Sequence, residues 1–234
     1  MLKEIISEIK TNWKDLINEF FNSHKNIYNA LDHLISNRIK SNELIPRKEL
    51  IFNAFNFFDY QKTKVVIIGQ DPYADINKAN GLAFGVDTKK PPVSLRNIIK
   101  ELSNNLNKNE GEVNQFFDYS LKDWANQGVL LINTILTVKN KSPLSDQNLG
   151  WEELIKFLIV KLLKQEFEPI FLLWGKKSQD FLEQFKLKHV LTSAHPSFFS
   201  AKQFFNNNHF NQVNKILMDN NELPIQWVKH NKLM

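Results

Sequence analysis

The sequence predicts an α/β fold: a single domain over residues 1–234 on a central four-stranded, mostly parallel sheet flanked by helices, with a site at the C-terminal ends of the strands. Four apolar runs, beginning at residues 64, 128, 169 and 189, each end in Gly, Asn, His or Asp. Helical patterns lie between them, as over 151–164, where Leu154, Ile155, Leu158, Leu162 and Leu163 are spaced for one face. The 234 residues, 42% apolar and 24% charged, are enough for one α/β domain with a full core. Alternating strands and helices imply parallel pairing through right-handed crossovers. All four strand ends then share one sheet edge.

Residues 1–63 read as the helical N-terminal part of the same domain. In MLKEIISEIKTNWKDLINEFF, Ile5, Ile6, Ile9, Trp13, Leu16 and Ile17 recur at helical spacing. Charge in every turn makes this an amphipathic helix and not a signal peptide. A second pattern, Ile27, Ala30, Leu31, Leu34 and Ile35, occupies 26–40 and is broken by Pro46. The aromatics of LIFNAFNFF (50–58) are assigned to the core.

KVVII (64–68) reads as a buried strand that Gly69 ends and Pro72 keeps from continuing. It delivers Gln70, Asp71 and Tyr73. For this segment by itself, a turn in which Asp71 caps a helix is the alternative. Phe84, flanked by Gly81 and Gly85, is either a stacking platform or core. Pro91-Pro92-Val93-Ser94 is rigid, and Ser94 suits the N-cap of a helix over 95–102. The free N–H groups there would suit a phosphate, with an ordinary cap as the alternative. Residues 104–115 read as a polar surface loop, GVLLIN (128–133) as a buried strand ending at Asn133, and 139–149 as another loop. Five Phe within 198–210 suggest a packed turn plus a helix.

No apolar run is long enough to span a membrane, so no membrane partner and a cytoplasmic location are expected. A formal net charge of +5 permits nucleic-acid binding without requiring it. The absence of cysteine excludes disulfides, Cys-ligated zinc and iron–sulfur clusters. The six His residues show no metal-ligand spacing, so neither metal nor cofactor is expected.

Asp71, Asn133 and His195 thus converge on one edge without a nucleophilic Cys, a GxSxG motif, or a Lys inside the strand-end motifs. A carboxylate can orient water and stabilise a developing cation, and an imidazole can donate to a developing oxyanion. Glycosidic cleavage needs that combination, because the sugar becomes cationic as the leaving group becomes anionic. Asn133 can both donate and accept, enough to read one edge of a planar heterocycle.

The motifs GQDPY (69–73), GLAF (81–84), SLRNI (94–98), QGVLLINTILTV (127–138), LGWE (149–152), LLWG (172–175) and HPS (195–197) resemble those of family 1 uracil-DNA glycosylase, and LIFNAF (50–55) fits too. The resemblance runs over residues 44–210 in order and spacing. It implies a monomeric, cofactor-free, monofunctional DNA glycosylase of base excision repair. Such an enzyme flips uracil out of single- or double-stranded DNA, hydrolyses the N-glycosidic bond and leaves an abasic site. A proteinaceous inhibitor of the family is an implied partner.

By the same resemblance, Asp71 positions water and stabilises the sugar cation, and His195 holds uracil O2 as it gains charge. Asn133 reads N3–H and O4, Tyr73 fills the space of a 5-methyl group, Phe84 stacks on the flipped base, and Gln70 lies among the substrate contacts. Ser94, Ser197 and Ser200 grip DNA phosphates, and Phe199 falls where the family has a duplex-wedging Leu. The missing cysteines exclude the iron–sulfur uracil glycosylases.

Several positions depart from the pattern: Ala74 and Leu144-Ser145-Asp146 stand where the family has His and His-Ser-His, Val93 precedes Ser94, Lys176 replaces Ser, Phe198-Phe199 replaces Pro-Leu, and a Gly before Phe204 is deleted. Two rival readings are a DNA-binding replication or repair accessory protein on this fold with weak catalysis, and a glycosylase of broadened base range. The Asp71–His195 pair argues against the first, and Tyr73 with Asn133 against the second.

Overall fold

A computed structural model describes residues 1–229. Its N-terminal part contains α1 (Leu2–Ser7), α2 (Trp13–Ser23) and α3 (Lys25–Lys40). The one helix expected over the first twenty residues is therefore two. The break is held by the 55–59 segment: Lys10 N–H donates to Asn56 Oδ1 (3.0 Å), Thr11 Oγ1 to the Phe55 carbonyl (2.6 Å) and Asn12 N–H to Asp59 Oδ1 (3.0 Å). Ile9 and Trp13 remain buried across it, so the apolar spacing carries no trace of the interruption.

A two-residue strand, β1 (Leu44–Ile45), follows, with no sequence signal to announce it. Short 3₁₀ turns then bring Phe52, Phe55 and Phe58 into the core, as the apolar run over 50–58 suggests. After these come β2 (Val65–Gly69), α4 (Val93–Asn105), α5 (Glu110–Phe116), α6 (Lys122–Ala125), β3 (Val129–Asn133), β4 (Val138–Lys139), α7 (Trp151–Leu162), β5 (Ile170–Trp174), α8 (Lys176–Leu182), β6 (Val190–Ser193), α9 (Ala201–Phe204) and α10 (His209–Asp219).

The central sheet has the order β3-β2-β5-β6, and every pairing in it is parallel. The antiparallel pair β1-β4 forms a separate two-stranded sheet. Val65–Ile68, Val129–Ile132 and Ile170–Leu173 are buried on both faces, which is why they read as unbroken apolar runs. β6 is an edge strand, with Val190 41% exposed. The register sets Gly69 beside Asn133, so the loops after β2 and β3 leave the sheet at the same level.

Three local expectations are corrected. α4 starts at Val93 with Pro92 at its N-cap and no side-chain cap, so Ser94 sits inside the first turn. Its cap geometry is set by the Pro92 backbone, which the Pro-Pro pair makes rigid. The polar segment 104–115 is a loop only in part. It carries α5, whose N-cap Asn109 accepts from Gly111 N–H at 2.8 Å, and the helix buries Val113 alone, too little to leave an apolar stripe. In the 198–210 turn, Phe204 and Phe210 are buried as expected, but Phe198 and Phe199 are 76% and 94% exposed.

Candidate active site

The site begins at the Gly69–Asn133 step. Beyond the strands the ladder continues: Thr134 N–H donates to the Gly69 carbonyl, and Ile135 N–H and Thr134 Oγ1 both donate to the Gln70 carbonyl, each at 3.0 Å. Any Cβ on Gly69 would collide with the Asn133 side-chain oxygen, so glycine is what lets the buried amide lie against β2.

Gln70, Asp71, Tyr73, Phe84, Asn133 and His195 line one cavity of about 290 Å³, with Ser94 on its wall. The expected convergence of strand ends is therefore present. Asp71 does not cap a helix; its Oδ2 accepts the main-chain N–H of Leu144 at 2.9 Å. Burial raises the carboxyl above its usual pKa, opposed by the N–H groups of Leu144 and of Asp71 itself. Burial also raises the Tyr73 phenol well above its ordinary value, so the ring meets the cavity uncharged.

His195 lies just beyond β6. Gly175, in left-handed backbone (φ +100°), makes room for it: a Cβ there would fall 2.8 Å from the His195 Cβ. Ser197 N–H donates to Nδ1 at 3.0 Å, so the neutral ring carries its proton on Nε2. Burial lowers the imidazole pKa below its usual value.

Phe84 belongs to the core, as one of the two readings has it, and also borders the cavity. It is 9% exposed, lines the cavity, and its ring centroid lies 5.8 Å from His195 and 5.7 Å from Trp174. Its backbone is left-handed (φ 65°), which a bulky side chain adopts only when the surroundings force it. Those surroundings include Ala83 N–H, which donates to the Leu131 carbonyl of β3, and Asn80. The Asn80 side chain accepts from Leu82 N–H (3.0 Å) and donates to the Ser120 carbonyl (3.0 Å), while its own carbonyl accepts from Asn53 (2.7 Å). Asn80 is a supporting residue that sequence reasoning missed; its one signal is a polar side chain inside the apolar ANGLAF run.

Ser197, Phe199 and Ser200 do not line the cavity. Ser200 Oγ donates to the His195 carbonyl (2.7 Å) and lies 2.8 Å from Ser197 Oγ. Asn97 of α4 donates to the Pro196 carbonyl at 2.8 Å, tying this turn to the helix that carries Ser94. Phe198 and Phe199 project from it edge to face, centroids 5.7 Å apart. Ala74 packs in a small apolar cluster with Ile45, Ala79 and Val138. Lys176 forms an exposed ion pair with Asp180 at 2.7 Å. Among the described residues, no group of three or more His, Asp or Glu could hold a metal, and no helix is long and apolar enough to cross a membrane.

A family model described as the Uracil DNA glycosylase superfamily matches residues 55–218. A protein named uracil-DNA glycosylase from Lachnoclostridium phytofermentans is 39% identical over 230 residues, which cover 95% of this chain and 98% of that protein. The crystal structure of mimivirus uracil-DNA glycosylase aligns with a TM-score of 0.79 at 26% identity, over 92% of this chain and 86% of that one. A variant of the mimivirus protein in complex with UGI aligns with a TM-score of 0.77 at 26% identity, over 91% and 87% of the two chains.

Proposed function

We propose, for a chain that belongs to the uracil DNA glycosylase superfamily and excises uracil from DNA by hydrolysing the N-glycosyl bond, that Asp71 and His195 carry the reaction. The observation that carries this reading is one cavity lined by the Asp71 carboxylate, the Asn133 amide and an imidazole whose proton sits on Nε2. As the bond between sugar C1′ and uracil N1 breaks, the base takes the electron pair and its O2 gains negative charge. The His195 Nε2–H donates to that oxygen. The ionised Asp71 faces the cationic sugar and orients the water whose oxygen adds to C1′, and the proton that water loses balances the one taken up by the departing uracil anion. The product is an abasic site, the starting point of base excision repair.

Asn133 pairs with uracil N3–H and O4, Tyr73 occupies the space a 5-methyl group would need, and Phe84 stacks on the base, with Gln70 beside them. Ser94, Ser197 and Ser200 bind phosphates of a single- or double-stranded substrate. Phe199 fills the gap left in a duplex. The buried core that runs from Leu2 to Val228 supports one domain over the described residues; a cytoplasmic, monomeric enzyme is part of the same proposal. A proteinaceous inhibitor of the family is a further proposed partner. An accessory protein that only binds DNA has no need of the Asp71–His195 pair.

The test is incubation with uracil-containing single-stranded DNA in EDTA, followed by alkaline cleavage. The strand should break at uracil. Asp71→Asn should cut turnover by roughly 10²–10⁴-fold while retaining binding, the usual worth of a positioned acid–base group. Turnover within a few-fold of the parent would remove Asp71 from the reaction.

A further inference from the structure

A chain of polar contacts, buried at Asp146 and Thr137, links the Asp71 turn to α3, and the excision chemistry does not by itself require it. Leu144, whose N–H reaches Asp71 Oδ2, sits in left-handed backbone (φ 60°) on the tight turn after β4. Two residues on, Asp146 is fully buried and pairs with Arg38 of α3, Nη2 to Oδ1 at 2.6 Å. Asp146 Oδ2 accepts from Thr137 Oγ1 (2.7 Å), and Thr137 Oγ1 accepts from Trp151 Nε1 (2.9 Å). Ser145 Oγ donates to Asp146 Oδ1 (2.9 Å) and accepts from Lys139 N–H (2.7 Å). The turn is thus held from three elements, α3, β4 and α7.

Stability is a weak reason for such a pair, since apolar side chains of similar volume often do as well. Arg38 also keeps Nη1 buried with no hydrogen-bond partner among the described residues. What the network does specify is where a turn with a left-handed Leu sits, a conformation that persists only when its surroundings over-determine it.

We propose that Arg38 and Asp146 are positioning residues for uracil excision, holding the turn so that the Leu144 N–H stays aimed at the Asp71 carboxylate. The inference rests on the reading that Asp71 carries the reaction. The Leu144 N–H fixes Oδ2, and the same bond favours the ionised form of Asp71 against burial. The other titratable groups around the cavity are Tyr73, on Asp71's own loop, and His195, after β6. At the start of the turn, Lys139 pairs with Glu43 at 3.0 Å. If the turn drifts, the carboxyl should hold its proton to higher pH.

The test measures kcat and KM on single-stranded uracil-DNA across pH for Asp146→Asn, Arg38→Met and Ser145→Ala. Displacing the turn should lower kcat by about 10- to 100-fold, the usual cost of a small misplacement of a reacting group. KM should stay near the parent value, and the acid limb of kcat should move up by about one pH unit. Ser145 is exposed, so Ser145→Ala should stay folded and show the same direction with smaller size. An Arg38→Met/Asp146→Leu double variant removes both charges, so neither is left buried alone. Folded Ser145→Ala and double variants with parental kcat and an unmoved acid limb would overturn the proposal, whatever their melting temperatures. Asp71→Asn, run in parallel, separates the two readings: activity there sinks the role of Asp71, whereas an inactive Asp71→Asn beside parental pair variants sinks the positioning role alone.

Discussion

The main-chain N–H of Ser197 donates to Nδ1 of His195 at 3.0 Å. Burial disfavours the imidazolium and lowers the pKa, and the N–H pointed at Nδ1 leaves the neutral ring's proton on Nε2. In the proposed reaction His195 would therefore act as a neutral donor through Nε2. Because the folded pKa lies below about 6.5, the neutral form persists at and above neutrality. The rate should stay flat as pH rises from about 6.5 toward about 8, where a required imidazolium would lose about tenfold per unit. His195→Leu should lose roughly 10²–10³ in kcat, as for removal of one oxyanion donor. A rate that declines steadily above pH 6.5 would show that the charged ring is the working form.

Asn133 should set the choice between uracil and cytosine. Cytosine presents an acceptor at N3 and a donor at N4, the reverse of uracil, so two buried groups would lack partners at about 1–3 kcal/mol each. The sum corresponds to roughly 30-fold to 10⁴-fold in rate. Asn133→Asp can take a proton and rearrange its donors, so it should release measurable cytosine. A variant that rejects cytosine as strongly as the parent would move the reading role elsewhere.

Behind Phe84, Trp174 Nε1 donates to Nδ1 of His209 at 3.1 Å, and His209 is 4% exposed. Burial lowers this imidazole to about 4, although a bond to the Thr192 main chain pulls the other way. The unfolded ring binds its proton near 6.5, so between the two values the unfolded state holds more protons than the native one. Stability is therefore full above about 6.5 and falls as pH drops toward 4, by up to about 3 kcal/mol in all. His209→Gln keeps an acceptor for the indole and should lose less stability between pH 7 and pH 4.5, read by urea unfolding. Parallel losses in the two proteins would assign the acid sensitivity to other groups.

The parts of the site legible in the sequence are those carried by one strand and the few residues after it. Gly69 to Tyr73, Asn133 and His195 each follow an apolar run, and parallel topology brings such ends together. The parts that were not legible depend on partners distant in sequence. Arg38 and Asp146 are 108 residues apart, and neither has a local pattern to mark it. The break between α1 and α2 is stabilised by acceptors more than forty residues away, while the apolar spacing runs straight through it. Ser94 looked like a cap because Ser favours that position, but the rigid Pro92 backbone starts the helix first. For Phe199 the sequence does not separate a wedge from a core residue, since an aromatic pair in a Phe-rich turn suits either.

The structure places the Phe199 ring 94% exposed at the tip of the turn that also positions His195, so it contributes little to the core. Extruding a base from a duplex costs a few kcal/mol of stacking and pairing. An apolar side chain inserted into the gap recovers part of that. A Phe face stacked on the exposed neighbours is worth about 1–3 kcal/mol per base, and Phe198, held edge-on 5.7 Å away, limits where that face can turn. Single strands need far less extrusion work, so the ring should matter less there. Phe199→Ala should slow uracil removal from duplex DNA at least several-fold more than from single strands, with the melting temperature of the protein barely changed. Equal losses on both substrates would place the contribution of Phe199 after extrusion and not in the wedge.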